Sequence, residues 1–251
     1  MEDDFTYVIR KALRGLTLAP GEAAARAGLK ESDVMGLIRG KFSEAAARKL
    51  ASVLSLAPEA LARLPHYTPQ PLDLASVTQL DIPIADGQVN AWLVRVGSLT
   101  LLFDTGYSDE SIACALDASN VLSITAVIVT HDHHDHVGGL EEVKRGGAVH
   151  HEIHAGDSVT IGPLTIHALD LPGHCHGALG FRIDGLERPV CVVGDALFAG
   201  SIGGCPPETY QAALEHLRSG VLSLPDKTVL LPGHGPATTV GEEKRSNPFF
   251  P

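Results

Sequence analysis

A short apolar run, Ala126-Val127-Ile128-Val129, passes directly into Thr130-His131-Asp132-His133-His134-Asp135-His136. The run reads as a buried strand. The segment after it reads as His-x-His-x-Asp-His, three imidazoles and a carboxylate delivered to one strand end. Imidazole nitrogen and carboxylate oxygen suit zinc and other borderline divalent metals. In an extended turn, residues two apart project to the same side, so His131 and His133 can grip one ion. Asp135 and His136 then face a neighbouring position. One metal cannot easily take all four ligands from so short a segment, which points to a two-metal site. An exposed polar loop would have no need of this composition straight after a buried strand.

The remaining ligands are expected from other strand ends. Three candidates stand there: His174 in Leu171-Pro172-Gly173-His174, Asp195 in Val193-Gly194-Asp195, and His234 in Leu231-Pro232-Gly233-His234. His174 or His234 taken alone would as readily cap or fill a core. Each follows Pro-Gly after an apolar strand, which favours the ligand reading. Asp195 alone also suits a turn or a helix cap. His134 and Asp132 occupy variable positions of the motif. Cys175 and His176 flank His174, and the weight there is at least as much on packing and a solvated loop. His150, His151 and His154 read as a polar loop or strand, and Tyr210 lies in a segment able to border the cleft.

The chain divides in two. Residues 1–66 carry ten Lys+Arg against eight Asp+Glu, a net +2, while residues 67–251 carry a net −13. A body this acidic repels phosphate backbones. Residues 5–64 read as helices only, with Phe5, Val8, Ile9 and Leu13 at helical spacing. Pro20 opens a second helix, Ala27-Gly28-Leu29 ends it, Glu31 to Arg39 forms a third, Glu44 to Leu54 a fourth, and Ala57-Pro58-Glu59 starts a short last one. Residues 67–75 read as a Pro-rich linker. From residue 76 short strands take over, at 77–84, 90–96 and 99–103, with turn signals at Asp86-Gly87 and Gly97-Ser98. Further strands are expected at 126–129, 164–169, 190–193 and 229–231, and helices at 108–119 and about 208–219. This is α/β material with helices covering mixed sheets. The acidic start predicts no secretory signal, no apolar run is long enough for a membrane helix, and the four scattered cysteines suit a reducing, cytoplasmic setting.

The helical segment resembles the helix-turn-helix domain of phage-repressor type, through Gly15-Leu16-Thr17, Ala27-Gly28-Leu29 and Leu37-Ile38-Arg39-Gly40. Glu31 and Asp33 sit at the start of its recognition helix, which disfavours DNA as a partner. A homodimer through this segment is compatible with the reading.

The rest, about residues 75–250, resembles the metallo-β-lactamase superfamily of metal-dependent hydrolases. The resemblance rests on Phe103-Asp104-Thr105-Gly106, the His-rich loop, Pro172-Gly173-His174, Gly194-Asp195-Ala196-Leu197-Phe198 and Gly233-His234-Gly235-Pro236. It implies an αββα sandwich with the metals at one edge of the sheets. It implies that His131, His133 and His174 hold a first metal, that Asp135, His136 and His234 hold a second, and that Asp195 bridges both. Asp104 would orient a ligand without binding metal. Two divalent ions are implied, zinc first and iron or manganese next.

The tail, Gly233 to Phe249, resembles the compact glyoxalase II-like hydrolases. That implies a hydroxide held between two metals, attacking a small ester or thioester, with Asp135 handling the proton. Gly204-Cys205-Pro206 departs from that subgroup's pattern. Seventeen residues follow His234, so glutathione recognition by a further C-terminal domain is not expected. Two other functions fit the same residues. One is a mononuclear iron persulfide dioxygenase using His131, His174 and Asp195. The other is a metabolite-sensing DNA-binding regulator.

Overall fold

The computed structural model describes residues 1–71, 74–85 and 87–251. The expected linker therefore falls partly, at Leu72 and Asp73, outside the described residues, as does Asp86 of the Asp86-Gly87 turn.

Five helices come first: α1 (Phe5–Gly15), α2 (Pro20–Ala27), α3 (Glu31–Ile38), α4 (Glu44–Val53) and α5 (Pro58–Arg63). Asp4 caps α1, its carboxylate accepting from the Thr6 and Tyr7 amides, which satisfies two of the orphan donors of a helix start. Pro20 stands at the first turn of α2, and Gly28 closes that helix in the left-handed conformation at φ +63°.

The body follows as β1 (Val77–Ile84), β2 (Gly87–Val96), β3 (Leu99–Phe103), α6 (Asp109–Ala118), β4 (Ala126–Ile128), α7 (His134–Val137), α8 (Leu140–Arg145) and β5 (Val149–His150). Then come β6 (Ser158–Ile161), β7 (Leu164–Asp170), β8 (Leu179–Asp184), β9 (Val190–Gly194), β10 (Leu197–Phe198), β11 (Ser201–Ile202), α9 (Pro207–His216), β12 (Val229–Pro232), β13 (Thr238–Thr239) and α10 (Val240–Ser246). The helix expected to reach residue 219 ends at His216 and widens into a π-helical turn, Leu217–Val221. One sheet has the order β1-β2-β3-β4-β5, a second β13-β12-β9-β8-β7-β6, and β10-β11 forms a small hairpin.

Strand periodicity sets the layers. Side chains alternate across a sheet, and each central strand here feeds two different cores. Leu101, Phe103, Ala126, Ile128, Val190, Val192, Val229 and Leu231 point between the sheets, with Trp92 and Phe181. Leu102 and Val127 point the other way, into a layer with Ile112 of α6 and Val143 of α8. Cys191, Val193 and Leu230 point out of the second sheet. They meet Tyr210, Ala213 and Leu214 of α9 and, in the same cluster, Val8, Ile9 and Leu50 of the N-terminal helices. The N-terminal helices thus complete the outer layer of the second sheet. Tyr210 is buried there against Gly15 of α1, away from any cleft. No helix among the described residues is long and apolar enough to cross a membrane.

Candidate metal centre

β3 and β4 run parallel, and so do β9 and β12. β7 is antiparallel to β8, which is antiparallel to β9, so β7 points the same way as β9 and β12. Polar side chains therefore emerge together from strand ends. Asp104 follows β3, and His131 to His136 follow β4. His174 follows β7, Asp195 follows β9, and His234 follows β12.

The structure brings all seven sequence candidates into three overlapping groups, the ligand-type atoms of each lying within 4.8 Å of one another: His131/His133/His174, His131/His136/Asp195, and Asp135/His136/His234. Asp195 touches both sides. Its Oδ2 lies 3.5 Å from His174 Nε2 and 3.5 Å from His234 Nε2, and its Oδ1 lies 3.4 Å from His136 Nε2. Asp135 Oδ2 is 3.3 Å from His234 Nε2.

The outward nitrogens are tied down. His174 Nδ1 donates to the Gly204 carbonyl at 3.1 Å and His234 Nδ1 to the Gln88 carbonyl at 2.7 Å. His136 Nδ1 donates to Asp104 Oδ2 at 2.9 Å. The same carboxylate accepts from the Thr130 amide and hydroxyl. With its proton given to Asp104, the Thr130 oxygen accepts from His131 Nδ1 at 2.9 Å. These bonds assign the tautomers. In each ring, when it is neutral, the remaining nitrogen, Nε2, presents a lone pair turned inward. Partners of this kind orient metal-binding imidazoles and raise their basicity.

The inward atoms lack partners that hydrogen bonding could supply. His131 Nε2 and His174 Nε2 both face His133 Nδ1, at 3.1 and 3.0 Å, and a single proton could serve only one. His136 Nε2 and Asp195 Oδ1 are buried with no hydrogen bond at all. Orphaned buried polar atoms are costly. A cation among these lone pairs would satisfy them, so the donor set fits a divalent metal. Gly233 leaves the room: a Cβ there would come within 2.2 Å of Asp195 Oδ1 and 2.6 Å of His136 Cε1.

Electrostatics separate the residues. Burial pulls His131 down to about 4, helped by His136, and burial also lowers His174. Both are neutral at pH 7, the ligand form. Burial opposes charge on His136 and His234, but Asp104 and Asp195 outweigh it for the first, and Asp135 and Asp195 for the second, so both are raised. Burial works against ionised Asp195 as well, yet His136, His234 and His131 hold it well below the carboxylate range. Asp135 is pulled to about 2, chiefly by His234.

Of the residues given less weight, Asp132, His134 and His176 are exposed, and His150, His151 and His154 belong to none of the three groups. Sequence reasoning missed Thr130 and the carbonyls of Gly204 and Gln88. Thr130 follows the strand, and nothing in its residue type sets it apart from another strand-terminal threonine. A main-chain carbonyl leaves no residue-type signal.

Residues 84–164 match the family model described as the metallo-beta-lactamase superfamily. The body has the mixed α/β fold of that group. The matched stretch is about a third of the chain, and over it the chain is similar to that superfamily. The probable metallo-hydrolase YqgX of Bacillus subtilis is 28% identical over 207 residues, which cover 67% of this chain and 95% of that protein. The hydroxyacylglutathione hydrolase GloC of Haemophilus influenzae is 38% identical over 97 residues, 38% of this chain and 45% of that protein. The crystal structure of BLEG-1 B3 metallo-beta-lactamase superposes with a TM-score of 0.59 at 26% identity, over 69% of this chain and 99% of that one. The family match lies wholly outside the N-terminal helices.

Proposed function

We propose that the protein is a dinuclear metal-dependent hydrolase acting on small ester or thioester substrates. One observation carries the reading: His131, His133 and His174 on one side, and Asp135, His136 and His234 on the other, gather around Asp195 with ligand-type atoms inward. We assign the first three to one metal, zinc in the first instance, the second three to another, and Asp195 to both. Two such cations acidify a water toward a pKa of about 7 and polarise a carbonyl.

The chain's own residues do the rest. Asp104 holds His136 in one tautomer and Thr130 does the same for His131, so neither ring has to reorganise. Asp135 is only partly buried, with 27% of its side chain exposed. It is the carboxylate able to take a proton from an attacking water and release it to solvent. The similarity to hydroxyacylglutathione hydrolase GloC supports a thioester. The mononuclear dioxygenase reading needs only His131, His174 and Asp195, and leaves His133, Asp135, His136 and His234 without work.

The test is hydrolysis of a panel of small thioesters and esters by protein loaded with zinc, iron or manganese. Turnover that disappears on chelation and returns with metal is expected. Oxygen consumption with a persulfide, and no ester or thioester cleavage, would overturn the hydrolase reading.

A further inference from the structure

Helix α1 and the residues before it reach the metal centre through a small hairpin. The hairpin of β10 and β11 follows Asp195 closely in the chain and belongs to neither large sheet. Two strands alone are marginally stable, so the geometry here depends on what grips them. On one side α10 does so: the Gly200 amide donates to Glu243 at 3.0 Å, and Asn247 Nδ2 donates to the Ser201 carbonyl at 2.9 Å. On the other side the N-terminal segment does. Buried Asp3 accepts from Ser201 Oγ at 2.5 Å and from Lys11 Nζ. Lys11 Nζ also donates to the Ile202 carbonyl at 2.7 Å and lies 5.0 Å from the Phe198 ring centre. A buried ion pair is weak evidence for stability, and this one directs its hydrogen bonds onto the hairpin.

The chain leaving the hairpin meets the ligands directly. Two residues after Ile202, the Gly204 carbonyl accepts from His174 Nδ1 at 3.1 Å. The Gly203 amide donates to the Ala196 carbonyl at 3.2 Å. A Cβ on Gly203 would collide with the Asp195 carbonyl oxygen and stand 3.2 Å from His174 Cβ. Residues 201–204 therefore cannot shift without disturbing the His174 ring. Loss of the Gly204 acceptor would free that ring to turn and to place its proton on Nε2, the atom that faces His133 and Asp195.

We propose that Asp3 and Lys11 are positioning residues of the metal centre: they hold residues 201–204 where the Gly204 carbonyl fixes the tautomer and orientation of His174. The inference rests on His174 being a metal ligand, as in the hydrolase reading, and it gives helix α1 a task in the centre.

The test reads zinc affinity of the full-length protein by chelator competition, without substrate. The double substitution Asp3→Asn with Lys11→Met removes both charges together, so no buried charge is left unpaired. It is expected to weaken binding of one of two zinc ions by about tenfold, the lower end of the effect of an outer partner. Lys11→Arg keeps a cation and a donor and should retain most of the parent affinity. Ser201→Ala, a milder cut of the same link, should move affinity in the direction of the double variant by a smaller factor. In a His174→Gln background the double substitution should change zinc binding no further, because the ring through which it acts is gone. Leu50→Ala loosens the same buried cluster from α4, and its zinc affinity should equal the parent's. Unchanged zinc affinity in the double variant and in Ser201→Ala, an equal loss in the His174→Gln background, or an equal loss in Leu50→Ala would overturn the proposal. A parent protein that binds two zinc ions and cleaves no ester or thioester would defeat the hydrolase reading alone, and the double-mutant cycle would still decide the role of Asp3 and Lys11. A parent protein that binds no zinc would overturn both.

Discussion

Asp104 is not a glycine, yet it adopts φ +60°, in the left-handed region that side chains seldom occupy. The bend turns its carboxylate back from the end of β3 onto Thr130 and His136. Asn tolerates this backbone, so Asp104→Asn isolates the charge. It should weaken metal affinity by about ten- to a hundredfold while leaving the far-UV circular dichroism unchanged, as read by chelator competition. Gly233→Ala acts by steric conflict instead, because its Cβ would collide with Asp195 and His136. Its metal content after dialysis should fall well below that of the parent protein. At this scale the sequence is legible where chemistry is carried by a side chain type. Seven ligand candidates could be named from the strand ends. Thr130 could not be distinguished from any strand-terminal threonine, and Gly204 and Gln88 act through carbonyls that every residue has.

Helix α10 carries Glu243, fully buried, accepting from the Gly200 amide at 3.0 Å, Asn247 Nδ2 at 2.7 Å and Thr238 Oγ1 at 2.7 Å. Burial pushes its carboxyl up to about 7 from an ordinary 4.5, against those hydrogen bonds. Between these values the folded chain keeps a proton that the unfolded chain has released, so this group's contribution to stability falls as pH rises through the window and levels off above it. Glu243→Gln should remove that slope. Urea midpoints of the two proteins at about pH 5 and about pH 8 measure it, and parallel behaviour would contradict the assignment. Across the outer layer, α1 meets α9 where Gly15 lies under the Tyr210 ring, which also faces Phe249. Tyr210→Ala should cost about 3–5 kcal/mol of unfolding free energy by denaturant titration.

Elements with a strong period were readable. Residues 101–103, Ala126–Ile128 and residues 190–193 are apolar throughout because both faces are covered. β8, interrupted by Gly180 and Arg182, and β6, with two of its four residues exposed, lack that signal. α8, at six residues, is too short for helical spacing to register.

On the scale of the whole molecule, the charge break near residue 66 divides the sequence more sharply than packing divides the structure. Val8, Ile9 and Leu50 share one buried cluster with Cys191, Val193 and Leu230. Helical spacing reveals that α1 and α4 each have an apolar face, but not what covers it. A shared core predicts one cooperative transition. Trp92, the sole tryptophan, reports on the core between the sheets, while far-UV circular dichroism is weighted toward the helices. Their thermal midpoints should coincide, whereas an earlier transition in dichroism alone would mean that the helices unfold separately. The central claim is a centre built for two metals, and elemental mass spectrometry of the protein, purified and then reconstituted with divalent metal, tests it most directly. The account predicts about two ions per chain, falling together in an Asp195→Asn variant, and a parent protein that holds one ion or none after reconstitution would contradict it.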